Sequence, residues 1–210
     1  MPMLSKSQRV LLERATLQYA THVDLAEEYL AGRGIDLEAA RSSALGVVVD
    51  PVPGHEGRQG RLAIPYLTNA GPVNMTFRCI RDHSCKEHKC PKYMKLAGEQ
   101  TNLYGVQYLD EAGDWIAVAE GELDALSSNL AGIPCVGIPG AENWKDHWTN
   151  VFEDFTRVYV WQDGDAAGEK FSKKLMTEIG AIRVPFPAGE DVNSTLAKQG
   201  VHALRKMIRK

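Results

Sequence analysis

The 210-residue chain has four cysteines, no run of roughly 18 apolar residues and a net charge of only −3. Each shortage excludes something. Three cysteines cluster as Cys79, Cys85 and Cys90, and Cys135 stands alone, which argues against a disulfide framework in a cytosolic chain. Without a long apolar run there is no membrane-spanning helix. The N-terminus, MPMLSKSQRVLLERATLQYA, also lacks the unbroken apolar core of a secretory signal. Arg9, Glu13 and Arg14 interrupt it, so the chain reads as cytoplasmic. Near-neutral charge means that nucleic-acid binding needs a local basic surface and cannot be argued from the total. There is no internal repeat and no low-complexity tract. What is present is a 44% hydrophobic chain, enough for one compact domain or two small ones.

Residues 4–31 carry apolar positions at helical spacing, and GRG at 32–34 ends them. Asp36 opens a short helix, LGVVVD reads as a strand, and 61–80 reads as two strands joined by a turn at Asn69-Ala70-Gly71. From 116 onward strands alternate with helices. IAVA, IPCVGIPG, TRVYVWQD and AIRVPFP are strands; 122–131, 142–154 and 166–179 are helices; two short helices close the chain. Such alternation predicts a parallel sheet covered on both faces, with ligands at the carboxyl ends of its strands. The expected architecture is α/β: a mixed α+β subdomain over 1–112, then a parallel-sheet domain over 113–210.

The parallel half carries the chemistry. Glu120 follows the strand Ile116-Ala117-Val118-Ala119, and Asp163 holds the matching place after VYVWQ, with Gly164 between it and Asp165. Strand ends of a parallel sheet share one edge, so the three acids can converge. Converging carboxylates repel and gain proton affinity unless a cation intervenes. Mg²⁺ or Mn²⁺ suits such a set and serves phosphoryl or nucleotidyl transfer. A simpler role stays open: an acid before a helix is often an N-cap, and Asp165 is placed to cap 166–179.

AVAEGELDAL followed by VYVWQDGDAAGEKFSKKL resembles the Toprim domain, with its glutamate and DxD motifs. PFPAGEDVNSTLAKQG resembles the segment that follows in DnaG-type bacterial and phage primases. AEEYLAGRGI, GRLAIPYLTNAGPVNMTFRCI, PKYM and NLYGVQYL resemble pieces of the primase catalytic core, in the same order. The resemblance runs from about residue 25 to about 200. It implies a DNA primase core that makes short RNA primers on single-stranded DNA from ribonucleoside triphosphates. By the same match Glu120, Asp163 and Asp165 are the catalytic acids and metal ligands. Asp124 and Asp191 are further acidic positions, and Asn193 stands where an aspartate or asparagine is usual. A helix-capping or solvated role for Asp124 and Asp191 stays open. Arg61, Arg78, Lys92 and Tyr93 match template- and nucleotide-binding positions, where arginine forks and a lysine charge suit phosphate. Nothing before residue 79 contains a cysteine, and the basic stretch before LYG is reduced to GEQTNLYG. The expectation is a stand-alone core working with a separate zinc-finger primase protein and a replicative helicase. Two other readings share the acids: a small Toprim nuclease, and a non-catalytic recombination mediator built from a zinc finger and a Toprim domain. The basic first half favours a polymerase over the nuclease, and the cysteine spacing departs from the mediator's paired C-x₂-C.

CIRDHSCKEHKC, 79–90, holds zinc-type ligands at unusual spacing, the cysteine gaps being five and four residues. Cys79, Cys85, His88 and Cys90 form one assemblable Zn²⁺ set. In the alternative, Cys79 faces the core, and His83 and His88 lie with Arg81, Lys86 and Lys89 in an exposed basic loop.

Overall fold

The computed structural model describes residues 4–96 and 101–208. The chain divides into two compact units, Met1–Gln100 and Thr101–Lys210. The sequence reading set this division near residue 112. Segment 101–112 instead packs with the second unit: Leu103 enters its core, with Val106, Leu109 and Ala112 against it. Tyr104 exchanges both backbone bonds with Gly137 at 2.9 Å. A single bridge leaves no periodicity for sequence to reveal.

In the first unit, α1 (Lys6–Ala20) starts at Ser5, whose hydroxyl and the Gln8 side chain form a reciprocal capping box. The short helices α2 (Glu27–Ala31) and α3 (Leu37–Ser42) follow, α3 capped by Asp36 through a 2.7 Å bond from the Ala39 N–H. Strands β1 (Gly46–Val47), β2 (Leu62–Thr68), β3 (Gly71–Arg78) and β4 (Tyr93–Lys95) make an antiparallel sheet in that order. Leu12, Ala15 and Tyr19 of α1 pack on Ala63, Met75 and Phe77.

The second unit alternates β5 (Trp115–Ala119), α4 (Glu122–Leu130), β6 (Cys135–Gly137), β7 (Arg157–Gln162), α5 (Ala166–Ile179), β8 (Ile182–Pro185), α6 (Val192–Gln199) and α7 (Val201–Met207). Its sheet is parallel, in the order β6-β5-β7-β8. The side-chain alternation of β7 serves both faces. Val158 and Val160 join a core with Phe171 and Leu175 of α5, while Trp161 donates its indole N–H to Ser128 of α4. The helix expected over 142–154 is instead two 3₁₀ segments, Ala141–Asn143 and Asp146–Phe152. Trp144 between them is extended, and its buried ring packs against Trp148 and Phe152. Burying that indole overrides the local helical preference. Among the described residues no helix is long and apolar enough to cross a membrane.

Candidate active site

The chain leaves β5 to form β6 on one side, then returns to place β7 on the other side of β5. This reversal opens a crevice at the carboxyl ends of β5 and β7, where open α/β sheets take their ligands. Glu120 is the first residue beyond β5, and Asp163 the first beyond β7.

Asp163 is half-buried, and its Oδ1 is enclosed without a hydrogen-bond partner. Burial, then the charges of Asp124, Glu120, Asp191 and Asp165, push its pKa up to about 8. Four other carboxylates thus surround one, and the five together are the three acids of the sequence reading and both secondary ones. Three of the five also shape the backbone. Asp165 Oδ1 accepts the Gly168 N–H at 2.8 Å and caps α5. Asp191 Oδ1 accepts the Ser194 N–H at 2.6 Å and caps α6. Asp124 Oδ1 accepts the Asn193 N–H at 3.0 Å. A carboxylate has about four lone-pair sites, so capping with one oxygen leaves capacity for a cation.

Two glycines let these elements close on the acids. A Cβ on Gly164 would lie 1.8 Å from the Pro187 carbonyl oxygen, and one on Gly168 would lie 2.5 Å from the Asp163 carbonyl oxygen. The first approach seats loop 187–190 on the DxD turn and delivers Asp191. The second lets α5 start against Asp163. Sequence reasoning missed Gly168, whose only signal was its place three residues after the DxD motif. It also missed the buried Asn193 amide as a brace, which donates to Ser127 Oγ at 2.9 Å and ties α6 to α4.

The donor set is hard oxygen alone, around a carboxyl whose proton affinity is raised by burial and then by its like-charged neighbours. Both features fit Mg²⁺ or Mn²⁺.

In the first unit, Arg61, Arg78, Lys92 and Tyr93 gather on the β3–β4 edge. Arg61 donates to the Pro91 carbonyl at 2.8 Å, and the Cys79 N–H donates to the Lys92 carbonyl at 2.9 Å. Arg78 is buried; its guanidinium donates to the Tyr29 and Tyr93 hydroxyls and lies over both rings. Lys92 is exposed and Tyr93 half-buried. Arg58, which sequence reasoning passed over, donates to the Lys95 carbonyl at 2.9 Å and lies over Phe77 on the same edge.

The cysteine loop differs from its sequence reading in one ligand. Cys79, Cys85 and Cys90 gather round His83, with the four donor atoms within 4.8 Å of one another. His88, the histidine chosen from the sequence, stacks on His83 at 4.6 Å, with its Nδ1 3.2 Å from the Ser84 carbonyl.

A family model described as Toprim-like matches residues 117–196. The Gene 57 protein of Mycobacterium phage D29 is 38% identical over 151 residues, 71% of this chain and 99% of that protein. Among solved structures, the RNA polymerase domain of Mycobacterium tuberculosis primase DnaG matches with a TM-score of 0.77 at 21% identity, covering 97% of this chain and 83% of that one. A DnaG primase catalytic domain bound to single-stranded DNA matches at 0.73 and 20% identity, covering 95% of this chain and 79% of that one. At such identities the two structural likenesses speak for the fold.

Proposed function

We propose that the chain, a relative of the phage D29 Gene 57 protein with a Toprim-like segment and the fold of DnaG primase catalytic cores, synthesises short RNA primers on single-stranded DNA by divalent-metal-dependent nucleotidyl transfer. One observation carries the reading: four carboxylates gathered about Asp163 at the sheet's switch point. The reaction joins the 3′-hydroxyl of one ribonucleotide to the α-phosphate of the next, with loss of pyrophosphate. Asp163 and Asp165 are the principal metal ligands, with Glu120, Asp124 and Asp191 completing the set. Bound Mg²⁺ or Mn²⁺ supplies Lewis-acid stabilisation of the charge developing on phosphate. Asp163, whose proton affinity is raised by burial and then by its like-charged neighbours, would hold the cation as a carboxylate. Glu120 accepts the proton of the attacking hydroxyl.

The basic edge holds template or nucleotide phosphate, an interaction that gives affinity without reading sequence. Lys92 and Arg61 make it. Arg78, enclosed by two phenols, positions Tyr93 beside them. The working partners are a separate zinc-finger primase protein and a replicative helicase, in the cytoplasm of a bacterial or phage-infected cell.

The test is incubation with single-stranded DNA, labelled ribonucleotides and Mg²⁺ or Mn²⁺, with and without a zinc-finger partner. Short labelled RNA, absent with Asp163→Ala while single-strand binding persists, supports the reading. Shortened DNA would make the protein a nuclease. Binding without either product would make it a non-catalytic module.

A further inference from the structure

The segment between β3 and β4 poses a physical problem. Among residues 80–89 the only aliphatic side chain is Ile80, and the rest are charged, polar, histidine or cysteine. Arg81, Asp82, Ser84, Lys86, Glu87, His88 and Lys89 are exposed. A stretch of this composition buries almost no apolar surface to offset the roughly 1–2 kcal/mol per residue that backbone ordering costs. Yet it follows a defined path, with Cys90 N–H bonded to the Cys85 carbonyl at 3.0 Å and Lys89 at a φ of 50°.

The geometry points to a structural zinc ion held by Cys79, His83, Cys85 and Cys90. A tetrahedral site with Zn–S near 2.3 Å and Zn–N near 2.0 Å sets its sulfurs roughly 3.8 Å apart and its nitrogen roughly 3.6 Å from each sulfur. The Cys79 and Cys90 sulfurs are 4.0 Å apart. His83 Nε2 lies 3.5 Å from Cys79, 3.0 Å from Cys90 and 3.7 Å from Cys85. One imidazole nitrogen thus faces three sulfurs at spacings close to those of a filled site. Three thiolates, a neutral imidazole and Zn²⁺ sum to one negative charge, and Arg81, Lys86 and Lys89 lie in the same loop to offset it. His88 braces the ligand histidine by stacking and does not bind.

The position of the ion gives it a task. Cys79 directly follows Arg78, Cys90 precedes Pro91 and Lys92, and the Cys79 amide is bonded to the Lys92 carbonyl. Zinc would staple the two ends of the loop where β3 meets β4, fixing the register that pairs Arg78 with Tyr93. The ion organises the basic edge and takes no part in the chemistry at Asp163.

The full chain, purified from zinc-supplemented cells, is analysed for metal content. Cobalt-exchanged protein is then read for thiolate-to-metal charge transfer and the intense d–d bands of a tetrahedral site. The expected result is one zinc per chain, three-sulfur one-nitrogen spectroscopy, and unchanged content in His88→Ala and Asp163→Ala. His83→Ala and Cys85→Ser should weaken zinc affinity by more than about tenfold. Should either variant fail to fold, hydrogen exchange of the wild-type Cys79 amide decides, being expected to speed up at least about tenfold when a chelator strips the ion. Wild-type protein that folds without zinc and takes up none on titration overturns the site. So does content that follows His88 and ignores His83, or a Cys79 amide whose exchange ignores the chelator. Because Asp163→Ala keeps its zinc, a missing primer activity and a missing zinc ion are separate outcomes.

Discussion

The Gly164 amide donates to the Glu190 carbonyl at 2.8 Å, and the Gly189 amide returns a bond to the Gly164 carbonyl at 3.0 Å. These two bonds join the DxD turn to the loop after β8, so that Asp191 reaches acids more than 25 residues away in the chain. The glycine between the aspartates is therefore a packing surface as much as a spacer.

Gly164→Ala tests that packing. Its methyl would sit on the Pro187 backbone oxygen, and backbone cannot swing aside as a side-chain tip can. Overpacking of this kind costs about 1–3 kcal/mol or more. The variant is expected to melt earlier and to bind Mn²⁺ more weakly, because Asp191 and Asp165 are pushed out of their relative placement. Calorimetry and a metal titration check the two effects, and an unchanged melting point with unchanged Mn²⁺ affinity would contradict the account.

The burial of Asp163 among like-charged carboxylates has a pH signature. Its folded-state pKa of about 8 lies above the ordinary value of 3.8. Between these values the metal-free native state keeps a proton that the unfolded chain has released. Stability is then full below the lower value and falls as pH rises towards about 8. Mn²⁺ or Mg²⁺ removes the repulsion, so the gain in Tm on adding metal is expected to grow with pH across this window. Melting curves at several pH values, with metal and with chelator, provide the check.

Asp163→Asn separates stability from activity. The amide is isosteric with the protonated acid and carries no charge to bury. At neutral pH the metal-free variant is expected to be more stable than the parent by on the order of 2 kcal/mol. Primer synthesis should disappear with it, since a neutral amide is a poor replacement for an anionic ligand. Chemical denaturation with chelator present, beside a primer assay, shows whether the two move in opposite directions.

How much of this was legible in the sequence follows from the range of each signal. Glu120, Asp163 and Asp165 were legible because each sits at a strand-to-helix change that the apolar pattern marks, and the α5 bounds follow from the same periodicity. The interactions that needed distant partners were not. Tyr29, which encloses Arg78, is 49 residues away from it. Pro187 gives no hint that it rests on Gly164. His83 and His88 are chemically alike, and only the folded loop sets His83 among the cysteines with His88 stacked on it. Segment 101–112 joins the second unit through buried side chains and one bridge, neither of which is periodic.

Arg78 and Lys92 should fail in different ways. Lys92 is exposed, and its carbonyl, which holds the Cys79 amide, is untouched by a change of side chain. Lys92→Ala is expected to weaken single-stranded DNA binding for all sequences alike. The slope of log affinity against log salt should shrink by about 0.7, because one fewer phosphate is neutralised on the strand. Arg78 is a buried fork spanning two phenols. Lysine has no planar fork to engage both hydroxyls and both rings, so Arg78→Lys is expected to lower the melting point and to weaken DNA binding through a displaced Tyr93. Weaker binding with an unchanged salt slope would mark that indirect route. If Arg78→Lys instead kept the parent's stability and reduced the slope as Lys92→Ala does, Arg78 would touch phosphate directly and its packing between Tyr29 and Tyr93 would be incidental.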